Sequence, residues 1–228
     1  PQTVTMLRLV LEDLGESPLI VRSSSLLEDS HNGSFSGKYK SLFLCNRGSR
    51  HERLDALMDA LLEIYASMYN PDSLQYRKER GLLNFTEQMG VLIQEVVGTK
   101  VGKYYLPIYA GVAFARNLLR WSPRIRPEDG LVRLVMGLGT RAVDRVNNDY
   151  PVMFAPSQPQ LRINQSPEEI RRYSPRHIDV IDLEQGFTTV EATSFLREAG
   201  AAFPNLHQYV SVFHDDFLET KNAFTLDT

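Results

Sequence analysis

The sequence predicts an α+β fold, with a mostly antiparallel sheet and helices packed against it. Three observations carry this expectation. Residues 49–70 place Leu54, Leu57, Met58, Leu61, Leu62, Tyr65 and Met68 at helical spacing. Several short apolar runs bounded by Gly, Pro, Asn or Ser read as buried strands. Strands and helices follow one another without a steady strand–helix–strand rhythm, which argues against a doubly wound parallel sheet.

The elements follow in order. Met6, Leu7, Val10, Leu11 and Leu14 repeat at helical spacing over residues 3–15, and Gly15 is a natural stop. Pro18–Val21 is a short buried strand. Residues 22–38, rich in Ser, Asn and Gly, read as a loop or flap. Residues 39–45 form the next strand, antiparallel to the first, with Cys45 read as a buried small hydrophobe. The 49–70 helix ends at Asn70-Pro71, and a shorter helix covers residues 72–81. Residues 85–97 lead into the strand VLIQEVV, closed by Gly98. Residues 104–114 form another strand, open to a break at Pro107. Residues 131–136 form a strand that turns sharply at two glycines, and 150–155 form one more. Ser166-Pro167 is a favourable helix start. The alternating segment 176–186 reads as an edge strand, and residues 189–199 as a helix. The expected core includes Val21, Phe43, Ile93 and Val135.

Composition bounds the function. A length of 228 residues fits one large or two small domains. The formal net charge of −3 argues against a nucleic-acid partner, and no apolar run is long enough to cross a membrane. A single cysteine rules out both an internal disulfide and a cysteine-built zinc site, and a cytoplasmic location is expected. The five histidines show no paired metal-ligand spacing.

The segment PLIVRSSSLLEDSHNGSFSGKYKSLF carries the chemistry. Arg22, at the end of a buried strand, is held firmly, and its planar fork can bind phosphate oxygens at two points. Ser23 and Ser24 offer hydroxyls and amides to the same anion, and Gly37 allows close backbone approach. The alternative is a hairpin with an ion pair from Arg22 to Glu28 or Asp29.

This segment resembles the nucleotide-binding domain of the phosphoenolpyruvate synthase and pyruvate phosphate dikinase family. Four later segments continue the resemblance in the same order. They are Tyr76-Arg77 at the end of a helix, the strand MGVLIQEVV, Gly111-Val112-Ala113-Phe114, and Gly137-Leu138-Gly139. The resemblance covers roughly residues 17–155 and implies an ATP-grasp-like domain over 1–155, followed by an extension of unassigned role over 156–228. It implies that ATP and Mg²⁺ are bound. A phosphoryl group would pass from ATP to a phosphohistidine on another domain and on to a pyruvate-binding domain, both on the same longer chain. Arg22 would hold phosphate. Gln94, Glu95 and Val97 would lie on the strand beside the adenine, and Gly137, Gly139 and Arg141 would face the phosphates, all three groups converging on one nucleotide.

Two departures mark this chain. The family's Gly-Lys loop does not precede Pro18, so the chain is expected to be a fragment. Where the family has Gly-Leu-Gly-Glu, with the glutamate at the metal and nucleotide, this sequence has Thr140. A threonine gives Mg²⁺ no carboxylate, and Asp144 or Asp149 is the expected substitute. The same departure supports an alternative function, a catalytically inactive nucleotide-binding or regulatory module.

Overall fold

The computed structural model describes residues 2–28, 39–143, 149–214 and 216–219. The fold is α+β, and every strand pair of known register is antiparallel. Contacts divide the chain into two compact units, residues 1–96 with 183–187 and residues 97–182 with 188–228.

The first unit runs α1 (Gln2–Asp13), β1 (Leu19–Ser25), β2 (Ser41–Leu44), α2 (Arg50–Ser67), α3 (Pro71–Glu79) and β3 (Met89–Glu95). Its sheet has the order β2-β1-β3. The apolar stripe of α2 closes over one sheet face. Leu54, Leu57, Ala60 and Ile64 bury against Leu19, Val21 and Leu11; of the stripe read from the sequence, Leu62 and Tyr65 are instead exposed, and Ala60 and Ile64 lie in the core in their place. Ser49 caps α2 in a reciprocal box, its hydroxyl accepting from the Glu52 N–H while the Glu52 carboxylate accepts from the Ser49 N–H. Asn46 ties the segment before α2 to the end of α1, donating to the carbonyls of Gly15 at 2.9 Å and Ser17 at 2.8 Å. The buried Arg77 donates to the Phe85 carbonyl at 2.8 Å and fixes the connection from α3 to β3.

Three expectations are corrected in this unit. Arg22 to Ser25 belong to β1 rather than to a loop, because β3 supplies a hydrogen-bonding partner along the whole length, from Leu19↔Glu95 to Ser25↔Met89. Cys45 is half-buried. Phe43 and Ile93 are half-buried, whereas Val21 is fully buried.

The second unit contains β4 (Thr99–Val101), β5 (Tyr104–Leu106), β6 (Tyr109–Phe114), β7 (Leu131–Met136), α4 (Thr140–Val143), β8 (Val152–Phe154), α5 (Pro167–Arg172), β9 (His177–Asp182), β10 (Gly186–Glu191), α6 (Ala192–Ala199), β11 (Val212–His214) and β12 (Phe217–Glu219), with the first two residues of β10 grouped with the first unit. Its sheets have the orders β10-β9-β5-β4, β6-β7-β8 and β11-β12. The main core gathers Val101, Tyr104, Leu106, Ile178, Val180 and Phe195. Residues 104–114 form two strands in different sheets, since Pro107 has no N–H to continue a ladder. The 176–186 strand is internal rather than an edge. β9 pairs with strands on both sides and its residues Ile178 to Asp182 are buried. Helix α6 begins at Ala192, because residues 189–191 continue β10. Gly111 is required where β6 meets β7, because a Cβ there would lie 2.0 Å from the Arg133 carbonyl oxygen.

Leu57 is wholly buried between α2 and the sheet. Leu57→Ala is expected to lower the unfolding free energy by about 2–5 kcal/mol, read from urea denaturation. A loss below about 0.5 kcal/mol would place α2 off the sheet.

Candidate functional site

In the first unit, strand alternation sorts the expected site residues onto two faces. Residues directly opposite in an antiparallel pair share a face. Leu19 and Val21 point toward the helices and are buried. The register sets Ile20 beside Phe43 and Gln94, Arg22 beside Ser41 and Leu92, and Ser24 beside Gly90. Arg22, Ser24 and Gln94 therefore lie together on the face away from α2, and all three are exposed. Arg22 and Gln94 are diagonal neighbours, a relation that spans about 7–8 Å. Phe187, grouped with this unit, stacks on Phe43 with ring centroids 5.3 Å apart and planes 11° from parallel.

Other expected residues fall elsewhere. Ser23 is on the helix side, where its hydroxyl donates to Glu28 Oε1 at 3.1 Å. Glu95 pairs with Leu19 and shares that side. Val97 lies beyond the end of β3, belongs to the second unit, and is 84% exposed. The Arg22–Glu28 ion pair is not formed among the described residues. Gly37, Asp29 and Asp144 lie outside the described residues.

In the second unit, the two-glycine turn follows β7 and enters α4. Gly137 adopts φ +81°, and a Cβ there would meet the Asp179 carbonyl oxygen at 2.5 Å, so only glycine fits. The turn bridges to β9, with the Leu138 N–H donating to the Asp179 carbonyl at 2.8 Å. Below it lies a buried network of side chains that are far apart in the sequence. The Thr140 hydroxyl donates to Asp179 Oδ2 at 2.5 Å, and the Thr189 hydroxyl donates to Asp179 Oδ1 at 2.7 Å. Arg141, 11% exposed at its side chain, spans two carboxylates. One terminal nitrogen is 3.5 Å from Asp179 Oδ1 and the other is 3.0 Å from Asp149 Oδ2. Asp149 also accepts from the backbone N–H groups of Tyr150, Arg176 and His177 at 2.9, 2.8 and 2.9 Å. His177 Nδ1 stands 3.2 Å from the same carboxylate.

Burial alone would raise the Asp149 carboxyl. The N–H donors of Arg176, Tyr150 and His177, with the Arg141 charge, outweigh burial and hold it below its ordinary value of 3.8. Asp179 was absent from the expected site. In HIDVID it reads as the polar phase of an alternating strand. The signal that could have found it is an acid flanked by Ile178, Val180 and Ile181, because a buried carboxylate requires partners.

Among the described residues, two large cavities are lined by none of the expected site residues. One of about 820 Å³ is lined by Arg8, Glu12, Arg50 and Arg53 in the first unit. Another of about 870 Å³ is lined by Tyr150, Met153, Phe154, Tyr173 and Tyr209 in the second. The expected site residues and these two cavities therefore lie in different places.

Compared with known protein families, the chain matches pyruvate phosphate dikinase, AMP/ATP-binding domain, over residues 2–199. The match extends past residue 155, where the motif resemblance stops. No curated protein matches the chain.

A carboxyl held low in the folded state contributes stability above its unfolded pKa, and loses that contribution as pH falls through the folded value. For Asp149 the loss falls below about pH 4. Asp149→Asn is expected to cost about 3–5 kcal/mol at neutral pH and to flatten the dependence of stability on pH below about 4. Urea unfolding across a pH series reads both. An unchanged acid limb would mean that Asp149 is not the group titrating there.

Proposed function

The chain belongs to the pyruvate phosphate dikinase AMP/ATP-binding domain family, and we propose that it binds ATP as the nucleotide-binding part of a phosphoenolpyruvate synthase-like phosphotransferase. The observation that carries this reading is the shared open face of Arg22 and Gln94 on neighbouring strands of one sheet. A guanidinium supplies charge and two donors to phosphate oxygens. The end of β3 supplies backbone groups for a base edge, the role proposed for Gln94, Glu95 and Val97. Ser24, on the face of Arg22, is the proposed hydroxyl contact. Ser23 enters through its backbone, since its hydroxyl is held by Glu28.

Gly137 and Gly139 are the proposed phosphate-side elements of the second unit, and Arg141 is proposed to act behind them, its guanidinium bridging Asp179 and Asp149. In this reading Mg²⁺ arrives coordinated by the nucleotide's own phosphates and water, as this ion does where few carboxylates are offered. Asp144 and Gly37 remain expected contacts. The phosphoryl group would pass to a phosphohistidine on another domain and then to pyruvate. Protein groups would contribute placement and charge rather than covalent chemistry.

A second reading, a nucleotide-binding module that transfers nothing, is favoured by one observation. Thr140, standing where the family has glutamate, spends its hydroxyl on Asp179. Labelling of the full-length protein, with the proposed phosphohistidine domain present, by β-³²P ATP separates the two. Acid-labile label on a histidine supports transfer, whereas nucleotide bound without label supports the silent module.

Arg22→Ala is expected to weaken ATP binding about 10- to 100-fold in isothermal titration of the full chain. Unchanged affinity would remove Arg22, and with it this placement of the nucleotide.

A further inference from the structure

Membership of this family implies a divalent cation beside the phosphates, and the described residues at the glycine turn do not fit one. Mg²⁺ seeks charged oxygen with open lone pairs in octahedral array. Asp179 meets three donors, from Thr140, Thr189 and Arg141. Asp149 meets Arg141, three backbone N–H groups and His177 Nδ1. The polar atom left over at this spot is the buried Arg141 Nε–H, which lacks an acceptor among the described residues. It is a donor, which a cation cannot use. Among the described residues no group of three acids, histidines or cysteines is placed to hold a metal.

We propose that Arg141 replaces a protein-held divalent cation at the Gly137–Thr140 turn. Its guanidinium bridges Asp179 and Asp149, neutralising charge that a metal ion would otherwise balance. The planar fork suits this task, because it reaches two carboxylates at once and keeps its charge at all physiological pH values. The exchange at position 140 fits the same logic. A glutamate there would add a third negative charge to two buried acids, whereas Thr140 contributes a donor to one of them. This inference rests on the family reading of the turn as nucleotide-facing. It extends that reading to a module in which metal, if present, travels with the nucleotide.

The test uses the nucleotide-free full chain with MgCl₂ as the sole added ligand. The readout is the part of any Mg²⁺-induced rise in melting temperature that Asp179→Asn abolishes. In the wild-type chain this part is expected to be nil. Arg141→Met is expected to melt roughly 6–15 °C lower and to regain part of that loss in MgCl₂, with the regain vanishing in the Arg141→Met, Asp179→Asn double variant. An Asp179-dependent Mg²⁺ effect in wild type overturns the proposal. So does a folded Arg141→Met chain that Mg²⁺ leaves unmoved. Should the Met variant fail to fold, Mn²⁺ binding to wild type and Asp179→Asn, read by water-proton relaxation, decides. Equal enhancement in the two supports the proposal, and an enhancement lost in Asp179→Asn overturns it. No nucleotide enters the experiment, so ATP binding and this result stand or fall separately.

Discussion

Strand β1 constrains everything proposed for the first unit. It is hydrogen-bonded on both sides, to β2 and β3, so its side chains have no choice of face. Leu19 and Val21 enter the apolar layer beneath α2, and burial of that layer is what fixes the register. Once they are inside, Ile20, Arg22 and Ser24 must be outside. A slip by one residue would bury Arg22 and expose Val21, at a cost no hydrogen bond of the sheet could offset. The guanidinium proposed to meet phosphate is therefore placed by hydrophobic packing on the opposite face of its own strand.

The second unit solves a different problem, that of keeping two carboxylates away from water. Asp149 and Asp179 are each nearly fully buried, and an isolated buried carboxylate is very unfavourable. Every partner they use is a donor. Three are backbone N–H groups, of Tyr150 before β8 and of Arg176 and His177 at the start of β9, two are threonine hydroxyls, one is the shared guanidinium of Arg141, and one is the His177 ring at its Nδ1. Such a network is rigid because removing one member leaves another buried and unsatisfied. It anchors the two-glycine turn to β9 and defines the shape that any ligand of the turn would meet.

Much of this was legible in the sequence. The helical spacing of Leu54, Leu57 and Leu61 located α2, and the ordered motifs from VRSSS to Gly139 pointed to the family that residues 2–199 match. What escaped depends on partners distant in the chain. Three serines in a row read as loop, yet β3, more than sixty residues later, pairs with them and makes them strand. The segment HIDVID has the alternation of an edge strand, but β5 and β10 flank it and draw it inside. The partners that make Asp179 a buried carboxylate, Thr140 and Arg141 among them, stand nearly forty residues earlier in the chain. Periodicity reports which face a residue prefers. It does not report what will cover that face, and the buried acids are defined by what covers them.

Photoaffinity labelling with 8-azido-ATP, followed by peptide mapping, tests most directly where the base sits. The azide lies on the adenine, so label is expected in the peptide that carries Gln94 to Val97 and is expected to disappear when unmodified ATP is in excess. Label competed by ATP but confined to residues outside the β1–β3 sheet would contradict the placement of the nucleotide on its open face.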